Sequence, residues 1–283
     1  MTTAWKRWAA AAALATSFAA PASAQQLYVF TSGSLGGFPK AGLQMGGQGN
    51  LDWVPVSFYV LKHPKGNVMF DCGNNDKTIA NADAWWGPLA KGFGLKMTQN
   101  DAIPAQLAKI GLKTSDIKYL VVGHLHLDHA GNIGQFTNST VVVQEDEVPA
   151  ALAPEPPGGL YYIPGDFENF KNLNVLRING DFDLFGDGTF RIFRARGHTP
   201  GSQFAVARLP KTGAVIMTSD VVYLKESLEK NLLPPLPGVT HATDALKSYQ
   251  RIRHIRDAEG ARIFYGHDPE VFKATKVAPD FYD

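Results

Sequence analysis

A buried-strand pattern that runs straight into four metal-ligand-type residues in six positions constrains this chain most. Ile117-Lys118-Tyr119-Leu120-Val121-Val122 is largely apolar and reads as a buried strand, which Gly123 breaks. His124-Leu125-His126-Leu127-Asp128-His129 follows at once, with three imidazoles and a carboxylate in six positions. These are the ligand types of zinc and other borderline divalent ions. They fall where a rigid strand gives way to a loop, the usual place for chemistry. Alternate residues of an extended segment point the same way, so His124 and His126 can share one ion. Asp128 and His129 are adjacent and diverge, which points to a second ion. A single histidine is ordinarily a surface or satisfied core residue. Three in this mixed spacing, inside the chain and outside any low-complexity tract, do not fit that pattern.

A second ion needs ligands from further along the chain. His198 lies in Arg196-Gly197-His198-Thr199-Pro200-Gly201-Ser202, just after a strand pattern at 189–195. Asp220 follows the apolar run 214–218, and His267 closes the run 262–266. A glycine precedes each histidine and permits close backbone approach. Taken singly, the histidines read equally as turn residues and Asp220 as a helix N-cap. Together with the first cluster they complete seven potential ligands. A carboxylate has two oxygens and can bridge two ions.

The rest of the chain reads as strands and helices in both halves. Strand patterns stand at 26–31, 54–61, 67–70, 140–144, 175–178, 189–195, 203–209, 214–218 and 261–265. Helices are predicted at 100–110, in a short segment from Glu145, at 243–259 and at 269–275. Segments 33–49 and 85–97 read as loops, and Pro154-Glu155-Pro156-Pro157-Gly158-Gly159 as a breaker. This pattern suggests two packed sheets with helices outside and no boundary between independent domains.

Residues 1–24 read as a secretory signal. Lys6 and Arg7 supply the positive start, 8–20 is a short apolar run, and Ala22-Ser23-Ala24 is a small-residue cleavage site. An uncleaved anchor is the alternative. Cleavage after Ala24 would leave 25–283 as the folded domain, in the periplasm or the medium, with no stable membrane insertion. It would also leave 25 of the 27 basic residues against 26 acidic ones, with no basic patch, so nucleic-acid binding has no electrostatic support. Cys72 is the only cysteine, so an intrachain disulfide is excluded and stability must come from a core. At 45% hydrophobic residues there is enough chain for one.

His124-x-His126-x-Asp128-His129, followed in order by His198, Asp220 and His267, resembles the metallo-β-lactamase superfamily of metal-dependent hydrolases. The resemblance implies an α+β fold, the αββα sandwich of two mixed sheets flanked by helices. It implies one metal on His124, His126 and His198 and a second on Asp128, His129 and His267, with Asp220 and a hydroxide bridging them. Asp71, in Phe70-Asp71-Cys72-Gly73, is similar to the family's early Asp-x-Gly and would orient the histidine loop without binding metal. Cys72 reads as a packing residue.

Within that superfamily the chain looks like an N-acyl-homoserine lactonase. Tyr223 matches a tyrosine those enzymes place over the substrate, and Tyr265-Gly266-His267-Asp268 resembles their final ligand segment. Gly123 departs from the Ser or Thr of many relatives, and the leader departs from the many cytoplasmic ones. The implied reaction is attack of the bridging hydroxide on a lactone carbonyl, with Tyr223 donating to the oxyanion and Asp128 or Asp220 carrying the proton. Zinc is the default metal, with iron, manganese and cobalt as alternatives. Leu43, Met45, Trp53, Trp85, Trp86 and Phe93 are candidates for an acyl-chain groove, with Pro234-Pro235-Leu236-Pro237 as a further wall. The expected partner is a small lactone or ester, and the oligomeric state, a homodimer included, is left open. The rivals are another ester, lactone or organophosphate hydrolase on the same scaffold, a β-lactamase, a thioesterase, or a retired metal-binding protein.

Overall fold

The structure, a computed structural model, describes residues 25–156 and 158–283; the expected leader, 1–24, lies outside them. The first half runs β1 (Gln26–Leu35), the small hairpin β2 (Phe38–Pro39) and β3 (Asn50–Leu51), β4 (Val54–Lys62) and β5 (Asn67–Phe70). It continues through α1 (Thr78–Trp86), α2 (Pro88–Gly92), α3 (Ile103–Ala108), β6 (Ile117–Val121), β7 (Thr140–Gln144) and α4 (Glu147–Leu152). The second half holds β8 (Asn174–Ile178), β9 (Phe182–Asp183), β10 (Phe190–Arg194), β11 (Gln203–Leu209) and β12 (Gly213–Met217). It ends with α5 (Lys225–Lys230), α6 (Ala242–Glu259), β13 (Arg262–Phe264) and α7 (Pro269–Lys273).

Two mixed sheets result, in the strand orders β1-β4-β5-β6-β7-β8 and β13-β12-β11-β10-β9. In the first, β1, β4 and β5 are antiparallel neighbours and β5 to β8 are parallel. In the second, only β12 and β13 are parallel. Both sheets bury both faces, so their strands are apolar on either side of the pleat. Leu27, Val29, Leu61, Val121 and Val142 point between the sheets, where they meet Ile192, Ala205, Val215 and Met217. The alternate residues Phe30, Phe58, Val60, Leu120 and Val141 point outward, against Ile103 and Leu107 of α3. Behind the second sheet, Phe204, Val206 and Ile216 pack on Tyr249, Ile252 and Ile255 of α6. The layers are therefore helix, sheet, sheet, helix, as the resemblance implied.

The free edge of β1 is paired. Leu27 and Tyr282 exchange both backbone hydrogen bonds, the Ala278 amide donates to Val29 O, and Ser34 exchanges bonds with Lys96.

Three expectations need correction. Segment 85–97 is not a loop: α1 and α2 occupy much of it, split at Gly87, whose φ is +58°. The Gly-rich 33–49 is only partly a loop, because β1 continues to Leu35 past an irregularity at Thr31/Ser34. The helix predicted at 100–110 starts late. Gln99–Asp101 forms its own turn, closed by reciprocal Thr98 and Asp101 bonds, and Ala102 has an extended ψ of 141°. No helix among the described residues is long and apolar enough to cross a membrane.

Candidate dinuclear metal centre

Each ligand-type side chain is set by a strand end. Beyond β6, the Gly123–Ala130 loop turns under the sheet and carries His124, His126, Asp128 and His129. Asp71, just past β5, holds this loop from beneath: Oδ1 accepts from the Gly123 amide at 2.6 Å, and Oδ2 lies 2.9 Å from His129 Nδ1. A nitrogen thus fixed on one side presents the other, Nε2, in one orientation. His198 leaves β11's neighbour β10 by a turn, and its Nδ1 donates to Gly238 O at 2.7 Å. His267 Nδ1 donates to Pro55 O at 2.9 Å. The Gly266 and His267 amides donate to Val222 O and Tyr223 O, which aligns the His267 segment with the Asp220–Tyr223 segment. A Cβ at Gly266 would lie 2.5 Å from Ser219 O and 2.9 Å from Asp220 Oδ1, so only glycine allows that approach.

The seven side chains gather into two groups. In the first, His198 Nε2 is 2.9 Å from His124 Nε2 and 3.0 Å from His126 Nδ1. Ligands of one tetrahedral ion with ordinary Zn–N bonds stand about 3.3 Å apart, so the three nitrogens are spaced to share an ion. In the second, Asp220 Oδ1 is 3.0 Å from both His129 Nε2 and His267 Nε2, and Asp128 Oδ2 is 3.3 Å from His267 Nε2. Asp220 Oδ2 turns the other way, 3.5 Å from His198 Nε2 and 3.8 Å from His124 Nε2. One carboxylate thus addresses both groups.

The donor set fits cations. His129 Nε2 and Asp220 Oδ1 are buried without a hydrogen-bond partner among the described residues. Such groups are costly unless something charged or coordinating meets them. Burial, with the neighbouring imidazoles, holds His124 and His126 well below the ordinary imidazole range, so both are neutral and free to ligate. His129 goes the other way: burial lowers it, but Asp220, Asp128 and Asp71 overcome that and raise it well above its usual value. His267 likewise rises to about 10, against its burial, chiefly through Asp220 and then Asp128. The second group therefore demands positive charge, which a divalent ion supplies.

A cavity of about 410 Å³ opens onto both groups. His126, Asp128, His198, Asp220 and His267 form its floor, with Tyr223 beside them. Its walls are Leu35, Phe38, Leu43, Val54, Phe93, Leu127, Tyr161 and the Pro235-Leu236-Pro237 turn. Tyr223 is buried, and burial followed by Asp220 and Asp128 keeps its phenol well above the ordinary range, so it is a proton donor. Its hydroxyl is 3.3 Å from His198 Nδ1, whose own proton goes to Gly238 O, leaving the phenolic proton for the cavity.

Of the six expected groove residues, Leu43 and Phe93 line this cavity, and Pro235, Leu236 and Pro237 of the expected further wall do so too. Met45 is half exposed outside it. Trp53 packs on Phe272, with ring centroids 5.5 Å apart. Trp85 turns away to donate from Nε1 to Asp166 Oδ1 at 2.9 Å. Trp86 is buried among Leu35, Val54, Val56 and Ala90, behind the wall. Indole is large and apolar, and three of these side chains found packing partners before they reached the site. Sequence reasoning did not single out Leu35, Phe38, Tyr161 or Ser219. Ser219 Oγ lies 3.1 Å from His129 Nδ1 and 3.5 Å from His124 Nδ1. His63 stacks on Phe185 and His241 caps α6, both away from the centre.

The family model described as the metallo-beta-lactamase superfamily matches residues 51–267. The chain is 34% identical over 263 residues to the N-acyl homoserine lactonase AttM of Azorhizobium caulinodans, covering 91% of this chain and 98% of that one. It is 33% identical to an N-acyl homoserine lactonase of Bacillus cereus, over 82% of this chain and 89% of the relative. A solved N-acyl homoserine lactone hydrolase, with the product N-hexanoyl-L-homoserine at its catalytic metal centre, superposes with a TM-score of 0.79. It is 29% identical and covers 92% of this chain and 99% of that one.

Proposed function

The chain belongs to the metallo-beta-lactamase superfamily, and from that premise we propose that it opens the lactone ring of N-acyl-homoserine lactones. The observation that carries this reading is Asp220, one carboxylate addressing two ligand groups under an apolar cavity, in a chain similar throughout to lactonases. His124, His126 and His198 would hold one divalent ion, and Asp128, His129 and His267 the other, with Asp220 between them. Zinc suits the histidine-rich set, and the aspartates also admit iron, manganese or cobalt. When bound, the two ions supply the Lewis acid and lower the pKa of the attacking water.

The protein's own groups do the rest. The apolar walls take the acyl chain and exclude bulk water from the floor. Water adds to the lactone carbonyl carbon, and Tyr223 donates its phenolic proton's hydrogen bond to the oxygen that gains charge. The ring C–O bond then breaks, and the departing alkoxide takes up the proton that the attacking water gave to a carboxylate. Asp128 meets His129 and His267 through Oδ2, whereas Asp220 uses both oxygens, so Asp128 Oδ1 is the better carrier. The product is the ring-opened N-acyl-homoserine. Residues 1–24 support export to the periplasm or medium, which N-terminal sequencing of the protein from cell fractions tests.

The test is hydrolysis of a short-chain and a long-chain N-acyl-homoserine lactone beside a β-lactam and a phosphotriester, with and without chelator. Chelator-sensitive lactone opening far above the other rates is expected. Activity only on another substrate would discard the lactonase and keep the hydrolase. Tyr223→Phe should cut kcat about 10²–10³-fold with little change in KM.

A further inference from the structure

Glu147 is the first residue of α4, and its side chain is fully buried. Its hydrogen-bond donors are two amides and two hydroxyls. Oε1 accepts from the Leu125 amide at 2.9 Å and the Tyr162 hydroxyl at 3.0 Å. Oε2 accepts from the Thr199 hydroxyl at 2.7 Å and the Gly201 amide at 2.9 Å. Leu125 stands between His124 and His126, and Thr199 directly follows His198. Each carboxyl oxygen therefore grips one of the two loops that bring these three imidazoles together. Tyr162 adds to this by packing on the His126 ring, centroids 4.5 Å apart. None of the four donors belongs to Asp128, His129, Asp220 or His267.

We propose that Glu147 is a positioning residue for the three-histidine metal site, setting the separation of the His124–His126 loop from the His198 loop. This rests on reading those histidines as one metal site. A carboxylate suits the task because it only accepts, and all four neighbours donate. Glutamine has the same shape but only one accepting oxygen. In either amide orientation its NH2 faces the backbone amide of one loop, Leu125 or Gly201, which cannot accept, so that loop loses its grip. In the second ligand group His129 Nδ1 meets Asp71 and His267 Nδ1 meets Pro55 O, neither of which touches Glu147.

The test loads wild type and Glu147→Gln with Co2+, then titrates a chelator while following metal per chain and the visible d–d spectrum. His198→Ala supplies the reference spectrum for loss of the three-histidine site. Wild type is expected to hold two equivalents. Glu147→Gln should hold one of them about 10–100-fold more weakly, and its spectrum after partial chelation should match that of His198→Ala. Tyr162→Phe, which leaves both loops bonded, should stay near wild type. Wild-type affinity and spectrum in Glu147→Gln would overturn the proposal, as would equal weakening of both sites, the mark of a merely structural residue. If Glu147→Gln does not fold, Thr199→Val must weaken the same site severalfold, and an unchanged site there overturns the proposal. A wild type that binds no cobalt would instead remove the metal reading, and this inference with it.

Discussion

A side chain at position 123 has nowhere to go. A Cβ there would stand 2.3 Å from Ser219 Oγ and 3.1 Å from Asp71 Oδ1. Ser219, at a left-handed φ of +46°, fills that space from the opposite sheet and sets its hydroxyl beside His129. The hydroxyl that the resemblance leads one to expect at 123 thus arrives from Ser219. Gly123→Ser should cost about 1–3 kcal/mol by overpacking, and adding Ser219→Gly should recover most of it. Urea unfolding of both variants checks this, and simple addition of the two losses would refute it. Asp166 offers a second test. Burial lifts its carboxyl to about 7, against the bonds from Asn75 and Trp85 and the pull of Lys77. The native chain therefore keeps a proton that the unfolded chain releases near pH 4. The associated stability is full below that pH and fades as pH rises through about 7. Asp166→Asn should gain on wild type by a few kcal/mol between pH 5 and pH 8, read from urea midpoints. The seven ligand-type residues were legible because each sits at the end of an apolar strand pattern. Ser219 and Glu147 were not, because their meaning lies in partners far along the chain.

At the scale of elements, Gln203 joins the two sheets where the metal centre sits. It opens β11 and is fully buried. Its Nε2 donates to Val122 O at 2.8 Å, just past β6, and to Val142 O at 3.2 Å, in the middle of β7. Its Oε1 accepts from Gln144 Nε2 at 2.9 Å, and its amide donates to Gly123 O. Gln203→Leu would remove the bonds to Val122 O and Val142 O and the acceptor for Gln144 Nε2, at a cost of about 1–3 kcal/mol. Denaturant unfolding measures it, and a change under about 0.5 kcal/mol, the scatter of ordinary surface substitutions, would refute it. The strands at 140–144 and 203–209 were read from sequence to the residue, since their apolar runs end in clear breakers. The short helices α1, α2 and α5 were missed. α5 is Lys-Glu-Ser-Leu-Glu-Lys, with no apolar stripe to announce it, and Leu228 alone anchors it in the core.

At the scale of the whole molecule, the metal centre exists only when the sandwich is closed. The first sheet delivers the 124–129 loop, and the second delivers His198, Asp220 and His267 from its own strand ends. Metal binding is then coupled to docking of the sheets. Chelation should lower Tm by several degrees and metal should restore it, and a Tm indifferent to chelator would count against the two-sheet centre. The layered fold was legible because apolar runs buried on both faces recur through both halves. The cavity wall was not, since which aromatic faces the site depends on which packing partner it meets first. The last residues have a different consequence. Tyr282 and Ala278 satisfy backbone groups of β1 that would otherwise face outward as an open ladder. A flat, apolar, unpaired edge is a template on which identical chains add strand to strand. This closing segment therefore guards against fibrillar self-association, and trimming it would endanger solubility before it touched catalysis.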